Sequence, residues 1–205
     1  MPRSAIREYE FLLERDVPVD HNQFRLGGEA HLARISDPFD ILLAHDRWAT
    51  HIVLDRCERL TPEQFSTSFP IGPGESGGLR ATLTHIVGAM RRWADRIGAK
   101  ELRPFLTADA ATVASLRADL DAASAELGAL FPMVRSDPNR LVTLTYEGKA
   151  YTFTAAAAMI HVLTHGHYHR AQCLNMLRRL EVPGVSDKLP DLDVIDWQHA
   201  AHEIA

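Results

Sequence analysis

The stretch Thr154-Ala-Ala-Ala-Ala-Met-Ile-His161-Val-Leu-Thr-His165-Gly-His167-Tyr-His169-Arg-Ala-Gln172-Cys173-Leu-Asn-Met-Leu-Arg-Arg-Leu180 decides the fold class. Thr154 is a helix cap, the run from Ala155 to about Leu180 has helical spacing, and Pro183-Gly184 ends it. With His161 as zero and ~100° per residue, His165 falls near ~40° and His169 near ~80°. The apolar sector of Val162, Met176, Leu177 and Leu180 spans ~60 to ~160°. His165 and His169 are therefore expected to face inward. His167, near ~240°, lies opposite the core, and His161 falls on the margin beside Arg179.

Three further helices follow from the rest of the chain. Asp37-Pro38 is a cap followed by a first-turn proline, and Ile41, Ala44, Trp48, Ile52 and Leu60 carry the period to about Leu60. Leu79, Leu83, Ile86, Met90, Trp93 and Ile97 define a second helix between Gly78 and Gly98, the latter suited to a C-terminal cap. A third, starting at Thr107 and stopped by Pro132, places Val113, Leu116, Leu120, Ala123, Leu127 and Leu130 on one side and reads as the clearest amphipath. Thr61-Pro62 is a second cap, and Pro70-Ile-Gly-Pro-Gly-Glu-Ser-Gly-Gly78 reads as a loop. Leu141 to Phe153 is rich in β-branched and aromatic residues around Glu147-Gly148, which predicts a hairpin. The expected class is all-α: an up-and-down four-helix bundle with a short β-hairpin before the last long helix. Residues 1–36 read as an appended N-terminal arm, and 37–205 as the helical domain with a C-terminal tail packed on its surface.

Composition narrows the functions. The 205 residues are 46% hydrophobic and 24% charged, with 22 Lys plus Arg against 27 Asp plus Glu, so no basic stripe is available for a phosphate backbone. Nucleic acid is not an expected partner. No apolar run approaches the ~18 residues of a membrane span, and the first residues lack the apolar core of a signal peptide, so a cytoplasmic protein is expected. The two cysteines, Cys57 and Cys173, lack CxxC spacing and are expected to be reduced.

The unusual count is histidine, at 11. Imidazoles at i and i+4 stand one turn apart on one helix face, where both reach a single cation at about 2.0–2.1 Å. A third ligand has to come from another helix, and His85 is the candidate because Ala89 and Trp93 follow it along the inward margin. The competing reading is a set of core histidines satisfied by ordinary hydrogen bonds. Against it stands the cost of leaving three inward imidazoles unpaired where few carboxylates are near in sequence. A zincin is excluded, since the position after the first His of the pair is Gly166 and not Glu.

The segments His45-Asp-Arg-Trp-Ala-Thr50, Ser76-Gly-Gly-Leu-Arg-Ala-Thr-Leu-Thr-His85-Ile-Val and Thr164-His165-Gly-His-Tyr-His169-Arg-Ala-Gln172 resemble three signature regions of the DinB/YfiT-like superfamily. The end, Pro190-Asp-Leu-Asp-Val-Ile-Asp196, is similar to the way many members finish, and the resemblance covers about residues 37 to 197. It implies an up-and-down four-helix bundle with a divalent metal on His85, His165 and His169. It also implies activation of a low-molecular-weight thiol such as bacillithiol or mycothiol for transfer or isomerisation, other members being described only as metal-dependent hydrolases. The arm at 1–36 lies outside that pattern, and the first signature ends in Thr50 where Asn often stands.

Three imidazoles with an open position support two chemistries: a bound water brought toward a pKa of ~7, or a bound and deprotonated thiol. The resemblance favours the thiol. Imidazole suits several metals, with zinc or nickel expected. Gln172 and Tyr168 flank the ligands, and Gln172 is placed to orient a bound water or the far nitrogen of His165. Cys173 is either a fourth ligand that closes the site or a small core residue. Arg170 either holds an anionic substrate or pairs with a surface carboxylate, and Trp48 and Trp93 read as core. The function expected is a metal-dependent thiol transferase or hydrolase acting on a small-molecule substrate. The alternatives are a non-catalytic metal- or ligand-binding module and a purely structural bundle. A homodimer is the expected assembly.

Overall fold

Asp37 opens the first helix by accepting at Oδ1 from the Phe39 N–H at 2.9 Å and the Asp40 N–H at 3.4 Å, with Pro38 as the first helical residue. The structure, a computed structural model, describes residues 37–72 and 75–202, so the arm at 1–36 lies outside the described residues. The elements are α1 (Pro38–Cys57), α2 (Pro62–Phe65), β1 (Ser68–Gly72), β2 (Glu75–Gly78), α3 (Leu79–Ile97), a 3-10 turn (Ala108–Ala110), α4 (Val113–Gly128), α5 (Phe131–Ser136), β3 (Leu141–Tyr146), β4 (Lys149–Thr154), α6 (Ala155–Arg179) and α7 (Val194–His202).

Local chemistry accounts for most boundaries. Reciprocal capping boxes start α2 at Thr61/Gln64 and α4 at Thr112/Ser115, and the Thr154 hydroxyl accepts from the Ala157 N–H at the head of α6. Between β3 and β4, Glu147 and Gly148 have φ of 48° and 73°, the two positive values that a two-residue hairpin turn demands. The register runs from Leu141 opposite Thr154 to Tyr146 opposite Lys149.

The structure corrects several expectations. The Gly- and Pro-rich segment after Phe69 is not only loop, because β1 pairs antiparallel with β2, irregularly between Pro70 and Gly72. α1 stops at Cys57 rather than about Leu60. Pro132 does not simply end the third stretch: it sits in the first turn of α5, where its missing N–H costs nothing. That stretch is also not the clearest amphipath, since α4 exposes Ala114, Ala118, Ala122 and Ala125 and so has a weakly polar outer face. The tail is not merely laid on the surface. Leu192 and Trp197 are buried, and the His45 Nε2–H donates to the Leu192 carbonyl at 2.8 Å.

The chain is mostly helical, and its four long helices pack in a cycle: α3 against α4 and α6, and α1 against the same two. Leu54, Leu79, Leu83, Ile86, Leu120, Leu127, Phe131 and Leu177 fill the space between them. No described helix is long and apolar enough to cross a membrane.

One polar contact crosses this core. Arg170 of α6 and Asp46 of α1 are 2% and 1% exposed and form a salt bridge through Nη1 and Oδ1. The same Nη1 donates to Thr50 Oγ1 at 3.0 Å, and the Thr50 hydroxyl donates to the Asp46 carbonyl at 2.7 Å. The expected surface partner of Arg170 is therefore a buried one. Gly166 leaves the space for it, since a Cβ there would meet Asp46 Oδ1 and lie 2.6 Å from Arg170 Nη1.

Alanine normally stabilises a helix interior by about 1 kcal/mol over glycine. At Gly166 the sign should reverse: Gly166→Ala is expected to destabilise by about 3 kcal/mol, lowering the melting temperature by roughly 6–12 °C. A calorimetric melt checks this, and an unchanged or raised midpoint would mean that the ion pair tolerates the methyl group.

Candidate metal centre

His85 lies seven residues into α3, and His165 and His169 lie one turn apart on α6. Because α3 packs against α6, the three imidazoles meet across the seam between them. His85 Nε2 is 3.1 Å from His165 Nε2, and His169 Nε2 is 3.2 Å from the same atom. The ring centroids are 4.9 Å apart for His85 and His165, 4.7 Å for His85 and His169, and 4.5 Å for His165 and His169.

These separations constrain what sits between the nitrogens. Two nitrogens each about 2.1 Å from one cation are about 3.0 Å apart at a right angle and about 3.4 Å apart at the tetrahedral angle. Both short distances fall in that interval. Protons alone serve the cluster poorly: one N–H on His165 Nε2 can donate to only one of its two neighbours. A shared cation accepts all three lone pairs.

Protonation favours the same outcome. Burial pushes the pKa of His165 down to about 4, with the charges of His169, His85 and His161 adding to the effect. Burial also lowers His85, helped by His169. Neutral imidazole is the ligand form, so His165 and His85 are prepared for a cation at neutral pH.

The orientation expected of His165 and His169 is correct only in part. Both are half-buried and His85 is exposed, so the cluster occupies the rim of the seam and not the interior. Including Gly166, Arg170 and Leu163, the buried sector of α6 runs to ~200° and is centred further round than the apolar residues alone indicate. The two histidines lie on its α3 side.

The flanking residues divide. Gln172 touches His169, not His165: the His169 Nδ1–H donates to Gln172 Oε1 at 2.7 Å, which leaves the Nε2 lone pair directed at the cluster. Tyr168 is exposed, with its ring edge-on to His169 at 5.1 Å. His167 and His161 are both exposed, and His161 also stacks edge-on against Trp93 at 5.0 Å. Cys173 is wholly buried, its thiol pushed up to about 12 by burial, and it belongs to the core rather than the cluster. Cys57 is likewise buried. Trp48 is only partly buried, and Trp93 is buried but serves as a wall of the site.

A cavity of about 290 Å³ opens beside His85 and His165, lined also by Gly88, Ala89, Arg92, Trp93, Arg96, Phe105 and Leu106. Sequence reasoning missed Arg92, Arg96 and Phe105. Their signal for the two arginines was spacing: positions 92 and 96 continue the face of α3 that carries His85 and Ala89. A second group, Asp191, Asp193 and Asp196, is exposed. Asp193 Oδ1 there accepts from the Ile195 and Asp196 N–H groups at the start of α7, which accounts for its position.

The family model described as DinB family matches residues 35–193, and the chain belongs to that family. A search of curated proteins finds no match.

The depressed pKa of His165 has a stability consequence. Between its ordinary value of 6.5 and about 4 the unfolded chain takes up a proton that the folded metal-free site refuses. This contribution is full above pH 6.5 and is lost as pH falls toward 4. Melting temperatures of metal-free protein should fall across that window, and His165→Gln should flatten the slope. An equal slope in the variant would assign it to other groups.

Proposed function

We propose that this DinB-family chain holds one divalent cation on the Nε2 atoms of His85, His165 and His169 and is a metal-dependent enzyme. In this reading it activates a low-molecular-weight thiol, or water, for reaction with a small molecule in the adjoining cavity. The observation that carries it is the pair of Nε2 separations, 3.1 and 3.2 Å, with burial holding His165 and His85 below the usual imidazole range. When bound, the cation acts as a Lewis acid that lowers the pKa of a coordinated thiol or water. The resemblance to thiol-using members favours the thiol, and three imidazole ligands fit zinc or nickel.

The chain's own residues then have separate tasks. Gln172 fixes the His169 tautomer through Nδ1–H and so aims its ligand nitrogen. His165, flanked by the other two, stays unprotonated at neutral pH. Trp93 and Leu106 supply apolar lining, Phe105 forms an exposed edge of the cavity, and Gly88 adds no side chain to its floor. Tyr168, exposed at the rim beside His169, is placed to meet a substrate as it enters. The reading includes an up-and-down bundle formed by the four long helices and a cytoplasmic homodimer.

Untagged protein should carry close to one equivalent of zinc or nickel by elemental analysis, and its cobalt-substituted form should show the absorption of a site with open coordination. His169→Ala should abolish retention of the metal along with thiol-transfer or hydrolytic activity, while Gln172→Ala should weaken metal affinity by about 10–100-fold. Metal-free wild-type protein that also fails to take up added zinc or nickel would end the proposal. A fully coordinated metal without turnover would make the protein a binding module.

A further inference from the structure

The cavity does not end at the histidines. It follows the outer face of α3 from His85 past Gly88 and Ala89 to Arg92 and Arg96. At ~1.5 Å rise per residue these arginines start ~10 and ~16 Å along the axis from His85. Helical side chains lean toward the N-terminus, which here is the direction of His85.

Their partners set them apart from neighbouring arginines. Arg91 pairs with Asp119 at 3.5 Å, and Arg103 holds both Asp95 and Glu126. Asp95, the acid nearest in sequence, is thereby engaged. Among the described residues neither Arg92 nor Arg96 has a carboxylate within ion-pair distance. Arg92 instead donates through Nη1 to the Arg103 carbonyl and lies 3.8 Å over the Phe105 ring, while Arg96 lies 5.3 Å over Trp93. The Nε atoms of both are buried without an acceptor. Two like charges one turn apart repel each other. Consistent with that, burial and then the charge of Arg92 lower the pKa of Arg96.

We propose that Arg92 and Arg96 form the anion subsite of this cavity, binding the carboxylate of a small organic acid whose other end reaches the histidine cluster. Guanidinium groups match a planar carboxylate through paired N–H donors, and their stacking on Phe105 and Trp93 presets them for it. Phe105, Trp93 and Leu106 receive the apolar body between the two ends. A volume of about 290 Å³ limits the ligand to a small one. The role of the far end rests on the proposed metal function, whereas capture of the carboxylate does not.

The test uses the full-length, metal-loaded protein and two isosteric probes, 3-phenylpropanoate and 3-phenylpropanamide, followed by calorimetry and by quenching of tryptophan fluorescence. The carboxylate should bind at least about tenfold more tightly than the amide. Arg92→Gln and Arg96→Gln should each remove about tenfold or more of that affinity without changing metal content, and exposed Arg178→Gln should change neither. Circular dichroism establishes that each variant is folded, and Arg96→Gln leaves the Arg92 contact to the Arg103 carbonyl in place. Equal affinity for the two probes, wild-type affinity in both glutamine variants, or no binding of either probe at about 10 mM overturns the subsite. Wild-type protein that takes up no added zinc or nickel yet binds the carboxylate in preference to the amide would refute the metal reading and leave the subsite standing.

Discussion

The buried ion pair between Asp46 and Arg170 sets the rotation of α6, and the candidate metal centre depends on that rotation. Arg170 follows His169 directly, so it projects ~100° further round the helix. With its guanidinium held by Asp46 and Thr50 of α1, the neighbouring shoulder of α6 is turned toward α3. His165 and His169 sit on that shoulder, where His85 meets them. Apolar packing alone tolerates small helix rotations, because methyl groups are interchangeable as neighbours. A desolvated guanidinium is not tolerant, since losing its carboxylate leaves an uncompensated charge in the core. The polar contact therefore supplies angular definition, although its contribution to net stability is modest at best.

Gly166 belongs to the same device. Placed between His165 and His167 on α6, it removes the one side chain that would occupy the volume of the Asp46 carboxylate. The helix loses the propensity advantage of alanine at that position and gains room for the ion pair. The histidine-rich turn thus contains two adjoining constructions: imidazoles directed at α3 and a glycine-arginine pair directed at α1.

The four long helices, the hairpin around Glu147-Gly148 and the His165/His169 pair were legible in the sequence because each rests on local rules, whereas His85, 80 positions from His165, was reached through the inward margin of its own helix and the family resemblance. Caps, a helical period of 3.6 and a two-residue turn act over a few positions and do not need the rest of the molecule. The β1–β2 pairing was not legible, since Gly and Pro carry no alternating pattern by which a strand is recognised. The burial of Arg170 was missed for a related reason. Charged residues are assigned to the surface, and the acid that reverses this assignment is 124 positions away. Counting Arg170 as polar also displaced the estimated core sector and made His165 and His169 look more deeply buried than they are. Gln172 was selected correctly as a neighbour but attached to the wrong ring, because a wheel gives direction and not side-chain reach.

Charge connects the cluster with the cavity. The ligand set consists of three neutral imidazoles, and among the described residues no carboxylate joins them. A divalent cation held there would keep its full double charge, in contrast to sites where acidic ligands neutralise it. Arg92 and Arg96 add two positive charges at the far end of the same cavity. The apolar lining from Trp93 and Leu106 strengthens the attraction for negative charge on the side that faces α3, while the open side is screened by solvent. With a cation bound as proposed, such a cavity would favour deprotonated forms of its ligands over protonated ones. The position of the cluster on the rim of the α3–α6 seam, rather than in the core, keeps it accessible to a ligand that arrives from solvent.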